Sequence, residues 1–239
     1  MADARVVCMC GMDLGYRIAD FILSTGVETA FVINDEETTG QWYRSPLELG
    51  IRRIKQREVV PWKPDLIITA YYHRILPESV FGFPRLGAWN LHLGDAERYR
   101  GAYPSIRALI NGDDTYGVTL HRIDSGTDTG DILEKLMFPI PQGFNGRDLY
   151  YLMVEKGVEL FKGQWDFLLS GEALGRTRPQ NGARAETMHR KDLSHVLRPG
   201  EEFMNRVRAL TFPPFPPPYF TCSGRRYLVT EDKEDGRPD

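Results

Sequence analysis

The 239-residue chain has few cysteines, no excess of basic charge and no long apolar run. Three cysteines, an odd number, make no disulfide framework. Cys8 and Cys10 fall on one face of a first strand and Cys222 is remote, so zinc-ligand spacing is missing and reduced thiols are expected. Thirty Lys and Arg stand against 33 Asp and Glu, a net charge of −3. A general nucleic-acid binder would usually show a basic stripe. The local run Arg52, Arg53, Lys55 and Arg57 reads as a solvated face. No apolar stretch approaches the roughly 20 residues of a membrane helix, and the start, MADARVVCMC, lacks the apolar core of a signal peptide. A soluble, cytoplasmic protein that binds neither nucleic acid nor membrane is expected. The turn after the first strand, CGMDLGYR, is not a GxGxxG fingerprint. The amides of residues 11–15 could still meet a phosphate at a helix start.

What is present is ordinary globular composition, 41% apolar and 26% charged, enough for one large domain with a small appendage. Residues 5–10 form an apolar, β-branched run. A helical pattern with Ile18, Phe21 and Ile22 on one side follows, then a second strand at 28–33. This alternation predicts a parallel sheet with crossover helices. Residues 34–63 are polar and mixed, with a short helix around 46–50. DLIITAYY, residues 65–72, has the continuous apolar character of a central parallel strand. It ends in HRILP, at the rim where open α/β sheets bind ligands. A short helix or turn is expected at 78–83, a strand at 87–93 and a helix at 105–111. Strands are expected at 116–123 and 131–140. A long amphipathic helix covers 147–169, its stripe of Leu149, Leu152, Met153, Leu160, Phe161, Trp165 and Leu168 reading as core. Composition turns polar and Arg-rich over 171–190, read as a connecting segment. A helix at 201–210 precedes TFPPFPPPYF, whose five prolines bar a helix or central strand. This segment reads as a rigid wall packed on the domain rather than a polyproline partner ligand. A last strand lies at 225–230. The expected units are a catalytic domain over 1–175, an extension over 176–230 and a charged, disordered tail over 231–239.

Three polar side chains make little sense as packing. Asn90 and His92 lie in AWNLHL. On a strand they share one face, roughly 6–7 Å apart, while Trp89 and Leu91 take the other. Asp128 follows the strand YGVTLHRI in a loop flanked by Gly126 and Gly130. An amide, an imidazole and a carboxylate converging there could orient an amine, move its proton and hold an oxyanion. By themselves, a histidine on an apolar strand is a common satisfied core group and Asp128 a common turn residue. His73 reads as a rim residue. His121, His189 and His195 read as structural, and Tyr71 and Tyr72 as sheet residues.

The ordered motif NLH, YRGAYP, INGD, GVTLHRID, GTDTGDIL resembles the 10-formyltetrahydrofolate-dependent formyltransferases. The resemblance is strong over 64–133 and weaker at RVRALTFPPFPPPYF. It implies a Rossmann-like formyltransferase fold with a mostly parallel central sheet and a short C-terminal extension. It makes Asn90, His92 and Asp128 the catalytic trio. It also implies that Arg74, Ile75 and Leu76, together with Asp124, Ser125, Gly126 and Thr127, clasp the pterin of 10-formyltetrahydrofolate, with no metal.

Among the family's branches, the chain looks most like the sugar-nucleotide N-formyltransferases. Methionyl-tRNA formyltransferases carry a further barrel domain, for which the residues after Phe220 are too few, and the turn CGMDLGYR departs from glycinamide ribonucleotide transformylase. The implied acceptor is the amine of a nucleotide-linked amino sugar, with Tyr103 and Pro104 lining its site and Arg17 or the 11–15 amides holding a pyrophosphate. A homodimer is expected. The alternatives are the tRNA and glycinamide ribonucleotide branches, and last a non-catalytic folate- or nucleotide-binding module. His92 accepts the amine proton, or donates to the oxyanion and relays. Asp128 raises its basicity, orients it or holds a water.

Overall fold

The computed structural model describes residues 4–39, 41–181, 185–189, 191, 193–198, 200 and 202–230. Strand β1 (Arg5–Cys10) leads into α1 (Met12–Ser24) and β2 (Glu28–Ile33). Short turns at Pro46–Glu48 and Gln56–Glu58 and helix α2 (Val59–Trp62) precede β3 (Leu66–Ala70). Helix α3 (Glu78–Phe81) connects β3 to β4 (Ala88–His92). Then come β5 (Tyr99–Gly101), α4 (Pro104–Ile110), β6 (Thr115–Arg122), β7 (Ile132–Pro139) and α5 (Gly146–Ser170). The chain closes with β8 (Glu186–Met188), α6 (Phe203–Leu210), β9 (Tyr219–Cys222) and β10 (Arg225–Leu228).

The central sheet has the order β2-β1-β3-β4-β6-β7. The first three pairings are parallel and the last two antiparallel. The fold is therefore α/β with a mostly parallel sheet. Order reverses between β1 and β3, the switch point where such sheets open a crevice. Strands buried on both faces read as unbroken apolar runs, and β3 is buried throughout. On β1, Cys8 and Cys10 face a large core with Leu14, Ile18 and Phe161, whereas Val7 and Met9 face a second core with Trp62 and Ile67. All three thiols are free. The pKa of the Cys10 thiol is pushed up by its hydrogen bond with the Cys8 thiol and by burial.

Helix α5 follows its sequence signals. Asn145 caps it by accepting from the amides of Arg147 and Asp148, and Asp148 accepts from the Asn145 amide. The predicted stripe is buried except Leu152, which is half-buried. The turn expected over residues 11–15 is instead the start of α1, with Gly11 as N-cap and Gly15 buried inside the helix. A Cβ on Gly15 would sit 2.9 Å from the Cys10 Cβ, so only glycine lets α1 approach β1 this closely.

Beyond Ser170 the chain is stitched back to the body. Arg178 and Ile132 exchange main-chain bonds of 2.9 and 2.8 Å. Strand β8 pairs with β5, a pairing the sequence did not announce. Helix α6 starts at Phe203, and Leu197, Val207 and Leu210 form a small core with Ile106 of α4. In the proline-rich segment, Phe212 packs on Trp42 and Tyr150, with ring centroids 4.9 and 5.5 Å apart. Strands β9 and β10 make an antiparallel hairpin where only the second strand was expected. The tail over 231–239 lies outside the described residues. No helix among the described residues is long and apolar enough to cross a membrane.

The Gly15 contact makes a stability prediction. Overpacking costs about 1–3 kcal/mol, against the roughly 1 kcal/mol that alanine gains in helix propensity. Gly15→Ala is expected to lower the urea midpoint despite its better helix former; an unchanged or raised midpoint refutes the close-approach account.

Candidate active site

One face of the sheet carries the polar side chains that the apolar runs of β3, β4 and β6 contain. Trp89 and Leu91 lie in the large core, so Asn90 and His92 point to the opposite face. Val118 and Leu120 likewise leave Thr119 and His121 on that side of β6. The register sets Asn90 beside Thr69 on β3 and beside His121 on β6. The β6–β7 loop returns over this face and brings Asp128 down to it.

The contacts are close. Asn90 Nδ2 donates to Asp128 Oδ1 at 3.0 Å and lies 3.2 Å from His121 Nε2. Its Oδ1 accepts from the Thr69 hydroxyl at 2.5 Å, which fixes which way the amide faces. His92 Nδ1 is 3.4 Å from Asp128 Oδ2, and His121 Nε2 is 3.4 Å from Asp128 Oδ1. The amide of Gly101 donates to Asp128 Oδ2 at 2.8 Å.

Two carbonyls assign the tautomers, because a carbonyl only accepts. His92 Nε2 lies 2.8 Å from the Tyr99 carbonyl and therefore carries a proton. In the neutral ring Nδ1 is then the basic atom, and it faces Asp128. His121 Nδ1 lies 2.7 Å from the Arg122 carbonyl, so His121 Nε2 is free to accept from Asn90. Gly94 makes room for this seating: a Cβ there would lie 2.4 Å from His92 Nε2. His92 and His121 are buried, and the Asp128 side chain is only 13% exposed. Burial pushes the Asp128 carboxyl up, but the positive charge of the His92 and His121 rings when protonated, together with the Gly101 amide, outweighs it and holds the group well below the usual carboxylate range. The backbone of Asp128 is left-handed, with φ of 52°.

The trio is thus together, and His121, read as structural from the sequence, joins it. The signal was available: Thr119 and His121 alternate with Val118 and Leu120 as Asn90 and His92 alternate with Trp89 and Leu91. The other candidates make contacts outside this cluster. Arg74 pairs with Asp35, Ile75 is 73% exposed, and Leu76 is buried in the second core with Val80. Ile123, just before the Asp128 loop, packs on that same core. Asp124 accepts from the Gly126 amide and the Thr129 hydroxyl, while Ser125 and Gly126 are exposed and Thr127 is half-buried. Tyr103, at φ 54°, caps α4. Pro104 lines a cavity of about 370 Å³ with Arg100, Arg107 and Glu186. Arg17 is ion-paired with Asp13 on its own helix at 2.9 Å. The Met12 amide donates to the Glu37 carboxylate at 2.8 Å, and the amides of Gly11 and Gly15 bond to the carbonyls of Ala70 and Gly11. Among the described residues no three His, Cys, Asp or Glu side chains group as metal ligands.

Residues 51–161 match the family described as formyl transferase, and residues 193–231 match the N-formyltransferase dimerization C-terminal domain. The chain belongs to the formyl transferase family. This formyl transferase chain is 33% identical over 187 residues to the methionyl-tRNA formyltransferase of Syntrophomonas wolfei, covering 77% of the chain and 57% of that protein. It is 35% identical over 178 residues to that of Marinobacter nauticus, covering 73% of the chain and 56% of that protein. It therefore spans little more than half the length of these curated relatives. Among solved structures, the N-formyltransferase of Helicobacter canadensis, in complex with folinic acid and dTDP-3-aminofucose, superposes with a TM-score of 0.79 at 22% identity. That match covers 94% of this chain and 85% of the other. A 4-N formyltransferase of Francisella tularensis gives 0.77 at 20% identity, covering 97% and 98%. At these identities the structures establish the shared fold.

The depressed Asp128 carboxyl has a signed consequence for stability. A carboxyl lowered by folding stabilises the fold above its unfolded pKa, about 3.9. That contribution is lost as pH falls through this value toward the folded pKa. Asp128→Asn is expected to be less stable than wild type at pH 5.5, with the gap narrowing by pH 3, as read by urea unfolding at both pH values. A gap that is constant or widens on acidification contradicts the assignment.

Proposed function

We propose that this formyl transferase chain moves a formyl group from 10-formyltetrahydrofolate to the amine of a nucleotide-linked amino sugar, and does so as a homodimer. The observation that carries formyl transfer is the meeting of Asn90, His92 and Asp128 at 3.0–3.4 Å. The donor set suits a folate co-substrate, which supplies an activated formyl carbon. Arg74, Ile75 and Leu76 and the loop 124–127 are the groups that would hold its pterin.

The chain's own residues divide the work. His92 Nδ1 takes the proton that the attacking amine sheds, Asp128 Oδ2 stabilises the resulting imidazolium, and the ring returns that proton to the folate nitrogen as the oxyanion collapses and the bond between that nitrogen and the formyl carbon breaks. Asn90 supplies an N–H to the oxyanion developing at the transferred carbon. Both of its N–H groups are engaged internally, and the bond to His121 is the longer, at 3.2 Å. That N–H is the one that turns to hydrogen-bond the oxyanion, its proton staying on Asn90. Thr69 keeps the amide from flipping during the exchange.

The acceptor rests on different support. Solved N-formyltransferases align over nearly the whole chain, and one of them binds dTDP-3-aminofucose. The C-terminal match is to an N-formyltransferase dimerization domain. The exposed hairpin fits a dimer surface: Phe220 and Tyr227 stack at 5.2 Å, and Leu228 is 60% exposed. A second reading, transfer to charged initiator tRNA, is favoured by the 33–35% identity to methionyl-tRNA formyltransferases. Incubation with a formyl donor and a panel of nucleotide-linked amino sugars, read by mass spectrometry, should show replacement of H by CHO on a sugar amine. Formylation of methionyl-tRNA alone would select the second reading.

Removing one oxyanion donor typically costs roughly 100- to 1,000-fold. Asn90→Ala is expected to lower kcat by about that much with folate binding retained in calorimetry; turnover within a few-fold of wild type removes Asn90 from the chemistry. Leu228→Asp should yield monomers in light-scattering measurements, and a dimer unaffected by this charge means that the hairpin is not the contact.

A further inference from the structure

The stretch between the two family matches, residues 162–192, has no assigned role, and sequence composition marks its second half only as a connector. Gln180 lies there. Its side-chain amide donates to the main-chain carbonyls of Asp128 and Gly130 at 2.9 and 2.7 Å. Its Oε1 accepts from Arg100 Nη2 at 2.8 Å. Arg100 directly precedes Gly101, whose amide grips Asp128 Oδ2. One side chain thus spans the backbone of Asp128 and the strand that holds its carboxylate.

Asp128 needs such a hold. A left-handed conformation is less favourable than a right-handed one for a residue with a Cβ, though Asp tolerates it better than most, and hydrogen bonds from neighbouring segments help to keep it. The connector can supply the hold because it is itself fixed. Arg178 donates to both oxygens of Glu97 at 2.8 and 3.0 Å, and the Asn181 amide donates to Glu97 Oε1 at 2.8 Å. Gln180 sits between these anchors.

We propose that Gln180 is a positioning residue for Asp128. It holds the loop in the backbone conformation from which one carboxylate reaches Asn90, His92 and His121 together. The amide is needed for its two donors: a residue of equal size without them leaves two carbonyls unpaired and the loop free to relax.

Two variants of the full chain test this. Gln180→Met keeps the volume and removes both donors. Gln180→Glu keeps the acceptor for Arg100 and removes the donors. Both are expected to fold. Their Gly101 amide proton should move upfield and exchange faster, in the same direction as in Asp128→Asn. Misplacement of this kind should lower kcat roughly 10- to 100-fold, with KM for both substrates held within about twofold. The kinetic arm rests on the formyl-transfer reading; the amide resonance does not. An inactive wild type therefore sinks that reading while Gln180 is still tested. A folded Gln180→Met with an unmoved Gly101 amide, or a Gln180→Glu indistinguishable from wild type, overturns the proposal. If Gln180→Met fails to fold, the Gln180→Glu spectrum decides.

Discussion

Everything at the centre of this protein depends on keeping one carboxylate ionised out of water. Asp128 is nearly enclosed, and burial alone would drive it toward the neutral acid. It stays charged because donors and cation-forming rings converge on it from separate elements: Asn90 from β4, Gly101 from β5, His121 from β6, with His92 two residues beyond Asn90. Each partner is useful only if the others are in place, since a half-satisfied buried charge is worse than none. That requirement links the parallel part of the sheet to its antiparallel part.

The sheet makes the convergence possible. Strand β4 is the boundary, pairing parallel with β3 and antiparallel with β6. The parallel side lends Thr69, which orients the Asn90 amide. The antiparallel side lends His121, placed directly opposite Asn90. Because side chains alternate across a strand, the face opposite these groups remains apolar and seats Trp89, Leu91 and Leu120 in the large core. Packing and chemistry are thereby separated by a single residue of register. A one-residue slip of β4 would bury the amide and expose the tryptophan.

The strain at the site is local. Tyr71, Tyr103 and Asp128 all take left-handed backbone angles, at the end of β3, the entry to α4 and the β6–β7 loop. Met12, Lys63 and Ser223 share this conformation elsewhere in the described chain. The segment after Ser170 braces the site, since its ion pair with Glu97 and its strand β8 close over β5. Polar composition made it look like a connector, whereas its contacts hold the site's far side in place.

Much of the fold was legible in the chain itself. The unbroken apolar run LIITA, the alternation in AWNLHL and the amphipathic stripe of α5 are local signals, and local signals survive without tertiary knowledge. The same alternation brought Asn90 and His92 onto one face, and the ordered motif around them pointed to formyl transfer. What lay beyond reach was non-local. Helix α1 began at Met12, inside the stretch whose glycines look like a turn, because Gly15 serves a close contact with Cys10. The alternation in β6 put His121 on a polar face, but only strand pairing set it opposite Asn90, and Gln180 reached Asp128 only through folding of a distant connector. Sequence by itself determined which residues can do the chemistry, because side-chain type and strand period are properties of the chain. Which of them meet was decided by the tertiary structure alone, because hydrogen-bonded pairing of strands and loops is set by the whole packed core.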